Sequence, residues 1–423
     1  MQEDRKILPH IWSFLDISMR TAFSLGDECI LLPILINCDW ILQDFRDDSR
    51  LFGILEDIFI ALKLNPSILS KDYLPIYYLK AISWQAHREY YKAVELLEQI
   101  DDAAIGHRDL PIIQRALAIC YKETMQVTKS IELLESIAQS QKAAGYLIAG
   151  LFTQHELASA YRKNGQIAEA TKLLEHVVEN LRAILPKTDA DLLIPQHLLA
   201  LCYYDNKQYK KATELFDYII DVRVKEVRLP EDHPSLLGTQ HELGSCYLEI
   251  GKAQQAVELL KRVVKIREMK LALDHPDFLV SQHELGRAYL RDGQVEQAIQ
   301  LLKHVVDIKK SKFAEDNPSL LASQHELGRA YLKDSQVEKS VEILIHVVAV
   351  QNRSLPAGHL NQIRSQAFLA EGYIAGGQFE EAIELLERVI KVGEPSLGSE
   401  HGEIQFARKS LLKLGKNGET PSV

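Results

Sequence analysis

QHELGRAY stands at Gln282–Tyr289 and again, letter for letter, at Gln324–Tyr331, 42 residues further on. Worn copies surround it: QHELASAY at 154–161, QHLLALCY at 196–203, QHELGSCY at 240–247, and SQAFLAEGY ending at Tyr373. The tyrosines at 161, 203, 247, 289, 331 and 373 are spaced by 42, 44, 42, 42 and 42 residues. A fixed period of this length marks a solenoid, in which no unit buries its apolar face alone and stacking supplies the core.

Within one unit, Leu285, Gly286 and Tyr289 share a side of a helix, because residues four apart lie on one face. Gly286 takes the place of Ala158, Ala200 and Ala370 in other copies, so a small residue recurs where a second helix comes close. Arg291-Asp292-Gly293-Gln294 then reads as a turn, with Gly293 suited to a helix end. Val295–Lys310 follows as a second helix, with Val295, Ala298, Leu301, Leu302, Val305 and Val306 at helical spacing. The links LPEDHPSL (229–236), LALDHPDF (271–278) and FAEDNPSL (313–320) each place Asp or Asn one or two residues before a proline, a break and then a helix start. The second-helix signature appears at Ala93, Ser130, Ala170, Ala212, Ala256, Ala298, Ser340 and Ala382. Eight repeats are therefore expected. Residues 71–392 form the solenoid, residues 1–70 an N-terminal helical segment, and residues 393–423 a capping helix (Glu403–Leu414) with a tail.

The bulk composition narrows the function. Hydrophobic residues make up 46% and charged residues 26% of the 423, ordinary values for a folded chain. A net charge of −10 argues against a general nucleic-acid binder. The five cysteines (29, 38, 120, 202, 246) form no CxxC pair, which points to reduced thiols and a cytoplasmic setting. MQEDRKILPH at the start lacks the apolar run of a signal peptide. The apolar stretch Cys29–Leu42 holds Pro33, Asn37 and Asp39, so no membrane span is expected. No side-chain constellation reads as catalytic, and no cofactor is implied.

A small residue after Leu, an aromatic three later, Gly in the turn and Ala opening the second helix resemble tetratricopeptide repeats. The 42-residue period and the EDHPSL-type link are similar to the repeats of kinesin light chains. This resemblance covers about Asp72 to Lys416 and implies an all-α, right-handed superhelix whose concave groove holds a partner protein or peptide. It departs at one place: kinesin light chains carry an Asn pair before the repeat Leu, where this chain has His-Glu (His155-Glu156, His241-Glu242, His283-Glu284, His325-Glu326). Residues 1–70 lack the period and read as helices at about 7–25, 28–45 and 50–64. RKILPHIWSFL at 5–15 resembles the junction before the repeat arm in fungal NB-ARC/NACHT (NLR-like) receptors, which implies a ligand-sensing arm. No GxxxxGK[ST] phosphate loop occurs.

Residues two before and two after the repeat Leu lie about 200° around the helix from it, on the face the resemblance assigns to the groove. His283, Arg287 and Arg291 make one stripe; His325, Arg329 and Lys333 the next; His241, Ser245 and Glu249 precede them, and Ala367, Glu371 and Ala375 follow. His197 and His155 continue the column backwards. His241, His283, Arg287, Arg291, His325, Arg329 and Lys333 are thus the candidate partner site, for a peptide with acidic residues that arginine grips bidentately. The competing reading pairs these cations with Glu249, Glu284, Glu326 and Glu371. A metal is not expected, because packed helices about 8–10 Å apart place neighbouring histidines poorly for one ion. The histidines are expected instead to hydrogen-bond to the adjacent repeat, with a groove that responds to pH as its corollary. The basic segments at 261–270 and 303–312 end second helices, where cations offset the dipole, so neither nucleic acid nor membrane is implied. Two rival readings share this fold: a cargo adaptor of the kinesin-light-chain kind, and a regulatory subunit with a small anion in the basic groove. A monomer is expected in isolation.

Overall fold

The structure, a computed structural model, describes residues 74–103 and 110–417, together with Gly53 and Leu69. Expectations for the N-terminal segment otherwise lie outside the described residues, as do Trp12, Trp40, Cys29 and Cys38. The described chain is all-helical and falls into two compact units, Met1–Asn206 and Lys207–Val423.

The first unit contains α1 (Leu74–Ala86), α2 (Tyr90–Ala103), α3 (Leu110–Glu123), α4 (Val127–Ala143), α5 (Leu147–Lys163), α6 (Ile167–Ile184) and α7 (Ala190–Asp205). The second contains α8 (Tyr209–Asp221, with a π-turn over Val222–Glu226), α9 (Pro234–Glu249), α10 (Ala253–Lys270), α11 (Pro276–Asp292) and α12 (Val295–Lys312). It continues with α13 (Pro318–Lys333), α14 (Val337–Ser354), α15 (Leu360–Ala375), α16 (Phe379–Leu397) and α17 (Gly402–Asn417). Within each unit, consecutive helices pack on one another. All eight second-helix signatures fall in helices, and the architecture is a tetratricopeptide α-solenoid.

The small residues behave as the period requires. A Cβ on Gly286 would lie 2.6 Å from Leu302 Cγ, and one on Gly328 would lie 2.8 Å from Leu344 Cγ. Those leucines are fully buried, and each contributes about 1.5–3 kcal/mol by leaving water. Where serine replaces the opening alanine of the second helix, its hydroxyl finds an acceptor: Ser340 Oγ donates to Gly328 O at 2.8 Å, and Ser130 Oγ to Ala118 O at 2.7 Å.

Two local signals differ from the expectation. The turn between first and second helices needs a left-handed residue in every repeat, but glycine supplies it only at Gly165, Gly251, Gly293 and Gly377. Arg88, Met125, Lys207 and Ser335 adopt the same conformation, with φ of 63°, 64°, 58° and 60°, despite their side chains. At the links, histidine is a helix cap. His233, His275 and His359 accept from the backbone N–H two residues on, each through Nδ1 at 3.2 Å. Only Asn317 caps as an amide, accepting from Ser319 N at 2.9 Å. Asp232 and Asp274 instead pair with Lys270 and Lys312 at 2.8 and 2.7 Å.

The last helix closes the second unit. Ile404 and Ala407 of α17 are fully buried, and Phe406, Leu411 and Leu414 pack beside them against Leu386 and Val389. Trp84 is half-buried beside the core of α1–α3, with Lys80 Nζ 5.3 Å from its ring centre.

Candidate functional site

In the second unit, α9, α11, α13 and α15 are the successive first helices, and the expected stripe runs across them. Their histidines turn out to be wall and not surface. His241 and His325 are 8% and 6% exposed, and His283 is partly buried. Each places Nδ1 against a serine of the next first helix: His241 on Ser281 at 3.3 Å, His283 on Ser323 at 3.1 Å, and His325 on Ser365 at 3.0 Å.

Two of these serines, Ser281 and Ser323, also receive a buried cation from the second helix of the preceding repeat, an arrangement missed in the sequence. Arg267 donates to Ser281 Oγ at 2.5 Å and to Asp277 O at 2.6 Å. Lys309, only 2% exposed, donates to Ser323 Oγ and Ser319 Oγ at 2.8 Å and to Ser319 O at 3.1 Å. Arg223 bonds Ser235 O at 2.7 Å and also Thr239 Oγ1. Gln351 holds this place one repeat later, and its Oε1 has no partner among the described residues. A recurring Arg, Arg, Lys, Gln with Thr or Ser sixteen or fourteen residues on was the available signal. Burial pushes the Lys309 amine down to about 8, against the opposing field of Glu284.

The charged residues form a chain of ion pairs across the face. Arg287 donates through Nη1 to both oxygens of Glu284 (3.0 and 2.8 Å) and through Nη2 to Glu249 at 3.2 Å. Its Nε lies 3.9 Å from Glu326. Arg329 donates to Glu326 at 2.7 Å, and its guanidinium stacks 4.5 Å from the centre of the Phe368 ring. Lys333 Nζ donates to Leu290 O at 2.8 Å, capping the end of α11. Arg291 is exposed and makes no ion pair among the described residues. Burial would raise the Glu326 carboxyl, but Arg329, His325 and Arg287 outweigh it and hold it at about 2. Glu284 is lowered by the same balance, led by Arg287.

Burial also governs the histidines. It lowers His241 and His283 and brings His325 down to about 4, against the pull of Glu326. The corollary of a face titrating near neutrality is corrected for these three: their charging is displaced into acid. In the first unit the pairing takes another form. Lys122 of α3 reaches Glu156 at 3.0 Å and Ser159 at 2.9 Å on α5, and His155 lies 3.5 Å from Glu156.

Two cavities open around Phe368. One of about 230 Å³ is lined by Arg291, Arg329, Lys333, Phe368 and Glu371, with two leucines. The other, of about 270 Å³, lies between α15 and α17. The described cysteines, 120, 202 and 246, are buried, and burial raises each thiol to about 12. Among the described residues, no group of three or more His, Cys, Asp or Glu is placed to hold a metal. No described helix is long and apolar enough to cross a membrane.

Family comparison agrees with this architecture. Tetratricopeptide-repeat descriptions match residues 153–186, 191–269, 235–311 and 319–394, together over half of the chain. The protein belongs to the tetratricopeptide-repeat family. Among solved structures it is similar to a Podosopora anserina protein described as kinesin light chain nearly identical TPR-like repeats. That match has 44% identity over 48% of this chain and 95% of the other, with a TM-score of 0.43. It is also similar to the apo quorum sensor NprR of B. thuringiensis, at 17% identity over 85% of this chain and 97% of that one, with a TM-score of 0.64. The latter likeness is one of fold. No curated protein matches the chain.

Proposed function

We propose that the first-helix face of the second unit binds an extended segment of a partner protein through acidic side chains, and that the chain is a non-catalytic interaction scaffold. The observation that carries this reading is the convergence of Arg291, Arg329 and Lys333 on one cavity of about 230 Å³. Arg287 contributes less than its position promised, because three carboxylates already surround it. The buried histidines set the spacing of the wall and do not meet the ligand. Grip therefore falls on Arg291, on Lys333 and on the outer edge of Arg329, which recognise carboxylates by charge and hydrogen bonding. A role as the sensor arm of a fungal NLR-like receptor is the finer reading, and it rests on the resemblance of residues 5–15 alone.

Selection of random-sequence peptides displayed on phage, with the full chain as bait, tests this. Acidic peptides should be enriched, should weaken with added salt, and should be lost on Arg291→Glu/Lys333→Glu but kept on Lys310→Glu. Equal recovery on both variants would overturn the assignment of this face. Competition by inorganic phosphate, with no peptide selected, would favour a small-anion site instead.

A further inference from the structure

The charge pattern of the first-helix face inverts at its last repeat. Where α11 and α13 carry His, Glu and Arg (283, 284, 287 and 325, 326, 329), α15 carries Ala367, Phe368 and Glu371. Arg287 approaches the glutamate of the next helix. Arg329, at the equivalent place, meets the Phe368 ring. Glu371 stands where an arginine would be and has no ion pair among the described residues. Burial holds its carboxyl above the usual range, with only the field of Arg329 against it.

Beyond Phe368 and Glu371 lies the cavity of about 270 Å³, closed by Ala367 of α15 and by Gly402, Glu403 and Phe406 of α17. Two phenyl rings and two carboxylates thus face one void. Glu403 is already engaged by Arg364 and His401, both at 2.9 Å, which leaves Glu371, with the field of Arg329 but no ion pair among the described residues, as the carboxylate open to a partner. A half-buried carboxylate without a counter-ion is costly. An aromatic face attracts a cation within about 6 Å of its centre, and a cation on an aliphatic stem covers apolar wall while its head stays polar. An acidic side chain would be repelled here, and an apolar one would strip more water from Glu371.

We propose that this cavity seats a lysine or arginine side chain of the bound segment, so that the second unit selects a partner sequence of mixed charge. This inference rests on the reading of the face as a peptide site. It adds that the acidic part lies over Arg291 and Lys333 and the basic part at the α15–α17 end.

Two blocked amino acids test it without knowledge of the partner: N-acetyl-lysine methylamide and its uncharged analogue N-acetyl-norleucine methylamide. Saturation-transfer NMR against the full chain should show the lysine probe contacting through its terminal methylenes. The norleucine signal should be about fivefold weaker. Glu371→Gln should remove the difference while melting no lower than wild type, since it relieves a half-buried carboxylate. Glu371→Arg, which introduces the residue of the two preceding repeats (Arg287 and Arg329), should favour N-acetyl-glutamate methylamide. Equal signals from the two probes, or a preference unchanged in Glu371→Gln, would overturn the proposal. Acidic peptides that bind at Arg291 and Lys333 while the lysine probe does not would leave the face intact and remove only this pocket.

Discussion

In the first copy of QHELGRAY, Arg287 lies among Glu249, Glu284 and Glu326, and the serine beneath His283 is shared with Lys309. In the second, Arg329 has Glu326 and the Phe368 ring, and Gln351 takes the lysine's place fourteen residues before Ser365. Eight identical residues thus build two different sites. The reason is geometric: the Arg–Glu pair three residues apart is common to both octapeptides, but the remaining partners come from neighbouring helices that differ. A repeat is defined by its neighbour as much as by itself.

The largest expected effect falls on the residue both copies use. Glu326→Gln removes the carboxylate that pairs with Arg329 and lies near Arg287, and should cost about 3 kcal/mol by leaving the partly buried Arg329 without its ion pair. Denaturant unfolding measures it; a loss under about 1 kcal/mol would mean that Glu284 and Glu249 compensate.

Acid should separate wild type from His325→Gln. An unfolded histidine takes up its proton near pH 6.5, whereas folded His325 resists until about 4. Between those values the unfolded state binds more protons, so stability is full above the window and falls as pH drops through it. The loss is on the order of 2–3 kcal/mol. His325→Gln should flatten this part of the profile; an identical slope would assign it to His241 and His283.

Packing should be equal in the two copies. Gly286→Ala and Gly328→Ala push a methyl into Leu302 and Leu344, and each should cost about 1–3 kcal/mol. Unequal losses would show that the helix pairs differ in how far the leucine can move. The smallest effect is a gain. Ser335 follows the second copy where Gly293 follows the first, both left-handed, so Ser335→Gly should stabilise by about 0.5–1 kcal/mol in thermal melts.

The fold was legible because the 42-residue period records the stacking directly, and the Leu-Gly-x-x-Tyr spacing placed each first helix. The site was legible in position but not in exposure. His241 and His325 do lie on the expected stripe, yet Ser281 and Ser365, forty residues on, cover them. A single helix reveals which way a residue points, not what packs over it. Lys309 escaped notice for a similar reason: on its own helix it looks like a basic C-terminal residue offsetting the dipole. Ser335 and Lys207 show a third limit, since a left-handed turn was readable only where glycine occupied it.

The hydrogen bond between the histidine of three successive repeats and a serine forty residues on has a consequence at the level of the gene. Where the coding segments for the two identical octapeptides also match in base sequence, they allow unequal recombination. An exchange between them inserts or deletes 42 residues at once. The product keeps each of these histidines forty residues before its serine, and a cation of the Arg267 or Lys309 kind fourteen before the same hydroxyl, so the array changes its repeat number without breaking these bonds.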